Sequence, residues 1–84
     1  MTSLDFRAFG PPTIETFARS WRGRCYRDLR LALRATRDRN TWETSHHIGH
    51  ANAAVSVLYD INHPLAHGAY RRLNLIRRVA SERF

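Results

Sequence analysis

The sequence has no lysine. Its fourteen basic residues are all arginine, set against seven acids for a formal net charge of +7 in 84 residues. A GC-rich coding sequence would favour arginine codons in this way. Chemically, the guanidinium group also grips phosphate or carboxylate at two points and stacks on bases and aromatic rings, which an ammonium group does not. Cysteine is nearly absent as well. Cys25 stands alone, which excludes an intramolecular disulfide and gives no sign of an oxidising compartment, so a cytoplasmic location is expected. Long apolar runs are missing too. The most apolar stretches, such as residues 53 to 58, fall far short of the ~20 residues that cross a bilayer, and Asp5 interrupts the place where a signal peptide would need its apolar region. No membrane partner is expected.

Repeats and low-complexity tracts are absent, and outside the first ten residues no stretch alternates long enough to read as a strand. Catalytic signatures are lacking. Ser20, Ser45, Ser56 and Asp60 are scattered, with no strained elbow and no glycine-rich phosphate loop around them. Cys25 lies on an apolar stripe, which suits a small buried hydrophobe better than a reactive thiol. The expectation is a protein that is not an enzyme and carries no cofactor.

What is present is helical periodicity. Ile14, Phe17, Ala18, Trp21, Cys25, Leu29, Ala32 and Thr36 recur at spacings of three and four, the strongest such pattern in the chain. Thr13 can cap this helix, and Glu15 suits its dipole. Gly23 interrupts it, which points to a bend or a close neighbour. Arg24 with Asp28, and Arg34 with Asp38, are spaced for local ion pairs. Asn40 and Glu43 form a capping-box pattern that opens a second helix, whose buried stripe is Ile48, Ala51, Ala54, Val55, Leu58 and Ile61. Gly49, Ala51, Ala53 and Ala54 thin its middle, allowing a neighbouring helix to approach closely within the bundle or across a homodimer. Pro64 suits the start of a third helix rather than the continuation of the second. Leu65, Ala69, Leu73, Ile76 and Ala80 then supply its core stripe, flanked by Tyr70, Val79 and Phe84.

The expected fold is therefore all-α: a compact three-helix bundle with helices at roughly 12–38, 41–61 and 64–83, forming a single helical domain over 11–84. Residues 1–10 read as a short N-terminal arm, in which Leu4, Phe6 and Phe9 alternate with polar residues before the Gly10-Pro11-Pro12 break. A domain this small buries only ~60% of the surface its unfolded chain exposes, so modest stability is expected.

Charge is unevenly placed. Residues 1–39 carry a net +5, residues 40–70 a net −2 and residues 71–84 a net +4. Helices one and three are thus basic and helix two is not. Side by side, they would merge Arg27, Arg30, Arg34 and Arg37 with Arg71, Arg72, Arg77 and Arg78 into one field able to follow phosphates. The first functional expectation is a small basic protein binding nucleic acid mainly through the phosphate backbone. The second is a non-enzymatic accessory or inhibitor of the phage or mobile-element kind, such as an anti-defence or anti-CRISPR protein, docking the same arginines on an acidic protein surface. Trp21, Tyr26, Trp42 or Tyr70 would supply its anchors.

Two further patterns carry alternatives. The short connection before Pro64, followed by His67, Arg71 and Arg72, resembles a helix-turn-helix in outline. A plain αα-hairpin explains it equally, because the second helix is long and the turn has no glycine. His46 with His50, and His63 with His67, have the four-residue spacing of a helical metal chelate. Antiparallel helices would hold the two pairs apart, however, and Cys25 faces the core. Packing, capping and hydrogen bonding are the expected roles of these histidines, and no metal is assigned.

Overall fold

A computed structural model describes residues 13–84 as three helices with short connections. They are α1 (Ile14–Arg37), α2 (Thr41–Asp60) and α3 (Leu65–Arg83), and each packs against the other two. The all-α three-helix bundle expected from periodicity is the observed fold. The expected N-terminal arm at 1–10 lies outside the described residues.

Local chemistry sets the boundaries. Thr13 is extended, and its hydroxyl accepts a hydrogen bond from the Thr16 amide at 3.1 Å, satisfying one of the free donors of the first turn. Asn40 caps α2 in the same way, its Oδ1 accepting from the Glu43 amide at 3.0 Å. Both α1 and α2 end in the same closed turn. The Arg39 amide donates to the Thr36 carbonyl and the Asn40 amide to the Ala35 carbonyl; at the end of α2 the Asn62 amide donates to Tyr59 and the His63 amide to Leu58. This paired pattern needs one left-handed residue just past each helix, a place usually given to glycine. Here Arg39 and Asn62 take it, each with φ of 55°. Asparagine tolerates that conformation through its short polar side chain, whereas arginine does so at some cost in strain.

The core is built from small residues. Eight of the fourteen buried apolar side chains are alanine, among them Ala18, Ala32, Ala51, Ala54, Ala66 and Ala69. Leu58, Leu73 and Cys25 are the largest fully buried ones. Alanine seams let helix backbones approach closely. Ile14 and Phe17, expected in the core, are 59% and 43% exposed. At 100° per residue Phe17 falls about a quarter-turn from the line of Ala18, Cys25, Leu29 and Thr36, and its ring leans on Trp21 with centroids 6.2 Å apart. Ala35, Thr44, Ala66 and His63 join the buried set instead. Thr36 and Thr44 are buried without penalty because each hydroxyl donates to a carbonyl four residues back, at 2.8 Å in both cases.

Gly23 has neither of the roles anticipated for it. A Cβ built there meets no atom within 4 Å, and α1 runs unbroken through it. Gly23→Ala should therefore raise stability by roughly 0.5–1 kcal/mol, through the lower entropy of the unfolded chain alone. A shift of the urea midpoint to higher concentration at unchanged slope is the expected readout.

Candidate functional site

The arginines occupy the outer surfaces of α1 and α3. All eight expected site residues, Arg27, Arg30, Arg34, Arg37, Arg71, Arg72, Arg77 and Arg78, are exposed. Among the described residues no carboxylate lies within 4.0 Å of a guanidinium, and the carboxylates of Asp28 and Glu15 are met instead by the rings of His47 and His63. The local pairs anticipated for Arg24 with Asp28 and Arg34 with Asp38 do not form. Asp28 turns instead toward α2, where the His47 Nδ1 lies 3.3 Å from it. A cross-helix partner on a short, stiff ring costs less side-chain entropy than holding a long arginine along the same exposed helix.

The eight arginines do not share one plane. Arg30 and Arg72 come together on the groove between α1 and α3, whose walls and floor are Tyr26, Leu29, Leu33, Leu75 and Ile76 around a volume of about 380 Å³. The Arg72 guanidinium lies over the Tyr26 ring at 4.6 Å, with Arg22 at 6.0 Å from the same centroid. Cation–ring contact of this kind holds arginines near one another with no carboxylate between them. Arg27 lies on the groove between α1 and α2, together with Arg24. Arg77 faces the other way, toward α2, with its guanidinium donating to Asn52 Oδ1 at 3.2 Å. Arg34 and Arg37 occupy the last turn of α1, where cations complement the helix dipole. Arg71 and Arg78 project from α3 roughly opposite its core line, by their angular positions.

Arg24 was not singled out by the sequence reading. Its guanidinium lies over the Trp21 ring at 4.7 Å, and the signal for it was the three-residue spacing of the two side chains. Trp42, expected as an anchor for a protein partner, stands four before His46 and stacks on it, a contact the sequence reading did not foresee.

The histidines take separate jobs. His63 is 8% exposed and ties the start of α3 to the start of α1. Its Nδ1 accepts from the Leu65 amide at 3.1 Å, capping α3, which leaves Nε2 to donate to Glu15 at 2.7 Å. The Glu15 carboxyl is held below its ordinary value of 4.5, chiefly by that hydrogen bond. His67 lies 3.4 Å from the Tyr59 hydroxyl. Among the described residues no group of three or more histidine, cysteine or acidic side chains is placed to hold a metal ion. Cys25 is buried, and desolvation, with the negative charge of Asp28 behind it, pushes its thiol up to about 11. No helix among the described residues is long and apolar enough to cross a membrane. Searched against protein-family models, curated proteins and solved structures, the chain has no match.

Two outcomes follow from these placements. Because the Glu15 carboxyl titrates lower in the folded than in the unfolded chain, its contribution to stability is present above the unfolded value and is lost as pH falls through the folded one. Glu15→Gln should therefore lower the thermal midpoint at neutral pH, and the gap from the parent protein should close as the solution is taken below 4.5. Cys25, protonated and enclosed at neutral pH, should resist iodoacetamide in the native protein and react once urea unfolds it; mass spectrometry of the alkylated chain reports both states.

Proposed function

We propose that the protein binds nucleic acid, chiefly through the phosphate backbone, using the exposed arginines of α1 and α3. The observation that carries this reading is that, in a chain of net charge +7, no described guanidinium has a partner among the described carboxylates. Unpaired guanidinium groups retain their full capacity for two-point hydrogen bonding to phosphate. Arg30 and Arg72 form the centre of the surface, because they converge across the α1–α3 groove. Arg34 and Arg37 extend it along α1, while Arg71 and Arg78, on the outer side of α3, and Arg27 and Arg77 lie on its flanks. On this reading the protein works in the cytoplasm without enzymatic activity or a cofactor.

A second reading draws on the same groove. Its floor of Leu29, Leu33 and Ile76 is apolar, Leu75 is 54% exposed beside it, and Arg30 and Arg72 stand at the rim. Such a surface suits a partner segment that combines acidic and apolar side chains, as an accessory or inhibitor protein would need. Phosphate has no use for the apolar floor. Leu75→Asp therefore separates the readings: it should abolish a stoichiometric protein complex that survives nuclease treatment, yet alter nucleic-acid affinity by no more than one added negative charge does.

The backbone reading predicts a steep dependence on salt. Each neutralised phosphate contributes about −0.9 to the slope of log K against log salt for a duplex and about −0.7 for a single strand. In a gel-shift salt series Arg30→Gln with Arg72→Gln should make the duplex slope shallower by about two contacts' worth. Affinity that stays constant between about 50 and 200 mM salt would overturn the reading.

A further inference from the structure

Trp42, His46 and His50 stand at successive four-residue steps along α2, one above another on its exposed side. The Trp42 and His46 rings stack, with centroids 4.9 Å apart and planes 10° apart, and the His50 ring follows at 4.4 Å from His46, tilted by 48°. With His46 lying against it, Trp42 is still 70% exposed, more than any other large apolar side chain among the described residues. Neither the α2 cap nor the core uses this indole, so its surface contributes little to folding.

At His50 the column runs into the groove between α1 and α2, a space of about 530 Å³. Trp21, Arg24 and Arg27 line it on the α1 side, and Gly49, Ala53 and Ala54 on the α2 side. A Cβ at Gly49 would meet nothing within 4 Å, so this wall stands open. The one carboxylate in the groove, Asp28, is engaged by His47. The groove therefore presents two guanidinium groups next to an aromatic ring, at the end of a ladder of three exposed rings.

We propose that this track is a binding site for single-stranded nucleic acid, with unpaired bases stacking on Trp42 and the column behind it and phosphates meeting Arg24 and Arg27. The inference rests on the nucleic-acid reading above and names the form of ligand. Duplex bases already cover one another's faces, so a flat exposed ring has nothing to engage there. Unpaired bases offer a free face, and stacking accepts any of the four. The basic surface of α1 and α3 serves any polyanion, whereas the α2 column distinguishes one strand from two.

Binding of a labelled oligothymidylate and of a duplex of equal length, each titrated at one salt concentration and read by anisotropy, tests the proposal. Trp42→Ala should weaken single-strand binding about tenfold, the scale of one lost base stack, and His46→Ala, which removes the ring that holds the indole in place, should weaken it in the same direction; both should leave duplex binding unchanged. Trp42→Phe, which keeps a ring, should recover most of the loss. The oligothymidylate should quench tryptophan emission in the parent protein far more than in Trp42→Phe, where only Trp21 remains. If both alanine variants bind the single strand as the parent does, or lose single-strand and duplex binding equally, the stacking site is wrong. Salt-dependent binding that survives in those variants shows that the backbone reading stands without it, while absence of salt-dependent binding to either oligonucleotide removes both.

Discussion

The alanine seam between the helices is the constraint from which the other features follow. Ala18 and Ala32 on α1, Ala51 and Ala54 on α2, and Ala66 and Ala69 on α3 are all at most 2% exposed, and they let three backbones lie close around a thin core. A thin core has two consequences. It buries little apolar volume, so the caps and the closed turns at Arg39 and Asn62 carry a larger share of the work of stopping and aligning the helices. It also excludes bulky residues. Ile14, Phe17, Trp42, Tyr59, Tyr70, Leu75 and Phe84 are all left on the surface, where a bundle with a wider interior would have absorbed several of them.

Those displaced side chains are what give the surface its chemistry. Tyr26 and Trp21 sit under guanidinium groups, Trp42 begins a column of rings on α2, and Leu75 lies beside an apolar groove rimmed by arginine. Acidic side chains are too few to neutralise the arginines, seven against fourteen. Glu15 and Asp28 are paired with His63 and His47, and no described carboxylate reaches a guanidinium. Positive charge therefore stays available on α1 and α3, while α2, which has no arginine, presents rings instead. Division of labour between charged and aromatic surfaces is a usual means of holding a flexible polyanion, since charge supplies attraction at a distance and ring stacking acts only on contact.

Histidine illustrates how one residue type can be misjudged from spacing. The four-residue separations of His46 from His50 and of His63 from His67 are those of a chelating pair. In the fold the first pair is in tilted ring contact, and the second is divided between a buried cap tied to Glu15 and a contact with Tyr59. Spacing along a helix places two rings on one side of it. It does not say whether the rings turn their edges toward a common ion or their faces toward each other, because that depends on side-chain torsions set by neighbours such as Trp42.

The helices, their caps and the segregation of charge could be read from residue order, because helical periodicity, side-chain capping and net charge are properties of near neighbours along the chain. Thr13, Asn40 and Pro64 marked the starts of the three helices within a residue or two. The ends of α1 and α2 were less plain, since Arg39 and Asn62 stand where glycine would have announced the turn. Which faces meet was decided only in three dimensions. Arg30 opposite Arg72, Arg77 turned toward α2, Phe17 excluded and His63 enclosed all depend on the rotation of each helix about its axis. That rotation is fixed by the fit of alanine against alanine across the seam, a relation between residues far apart in the chain that no local pattern contains.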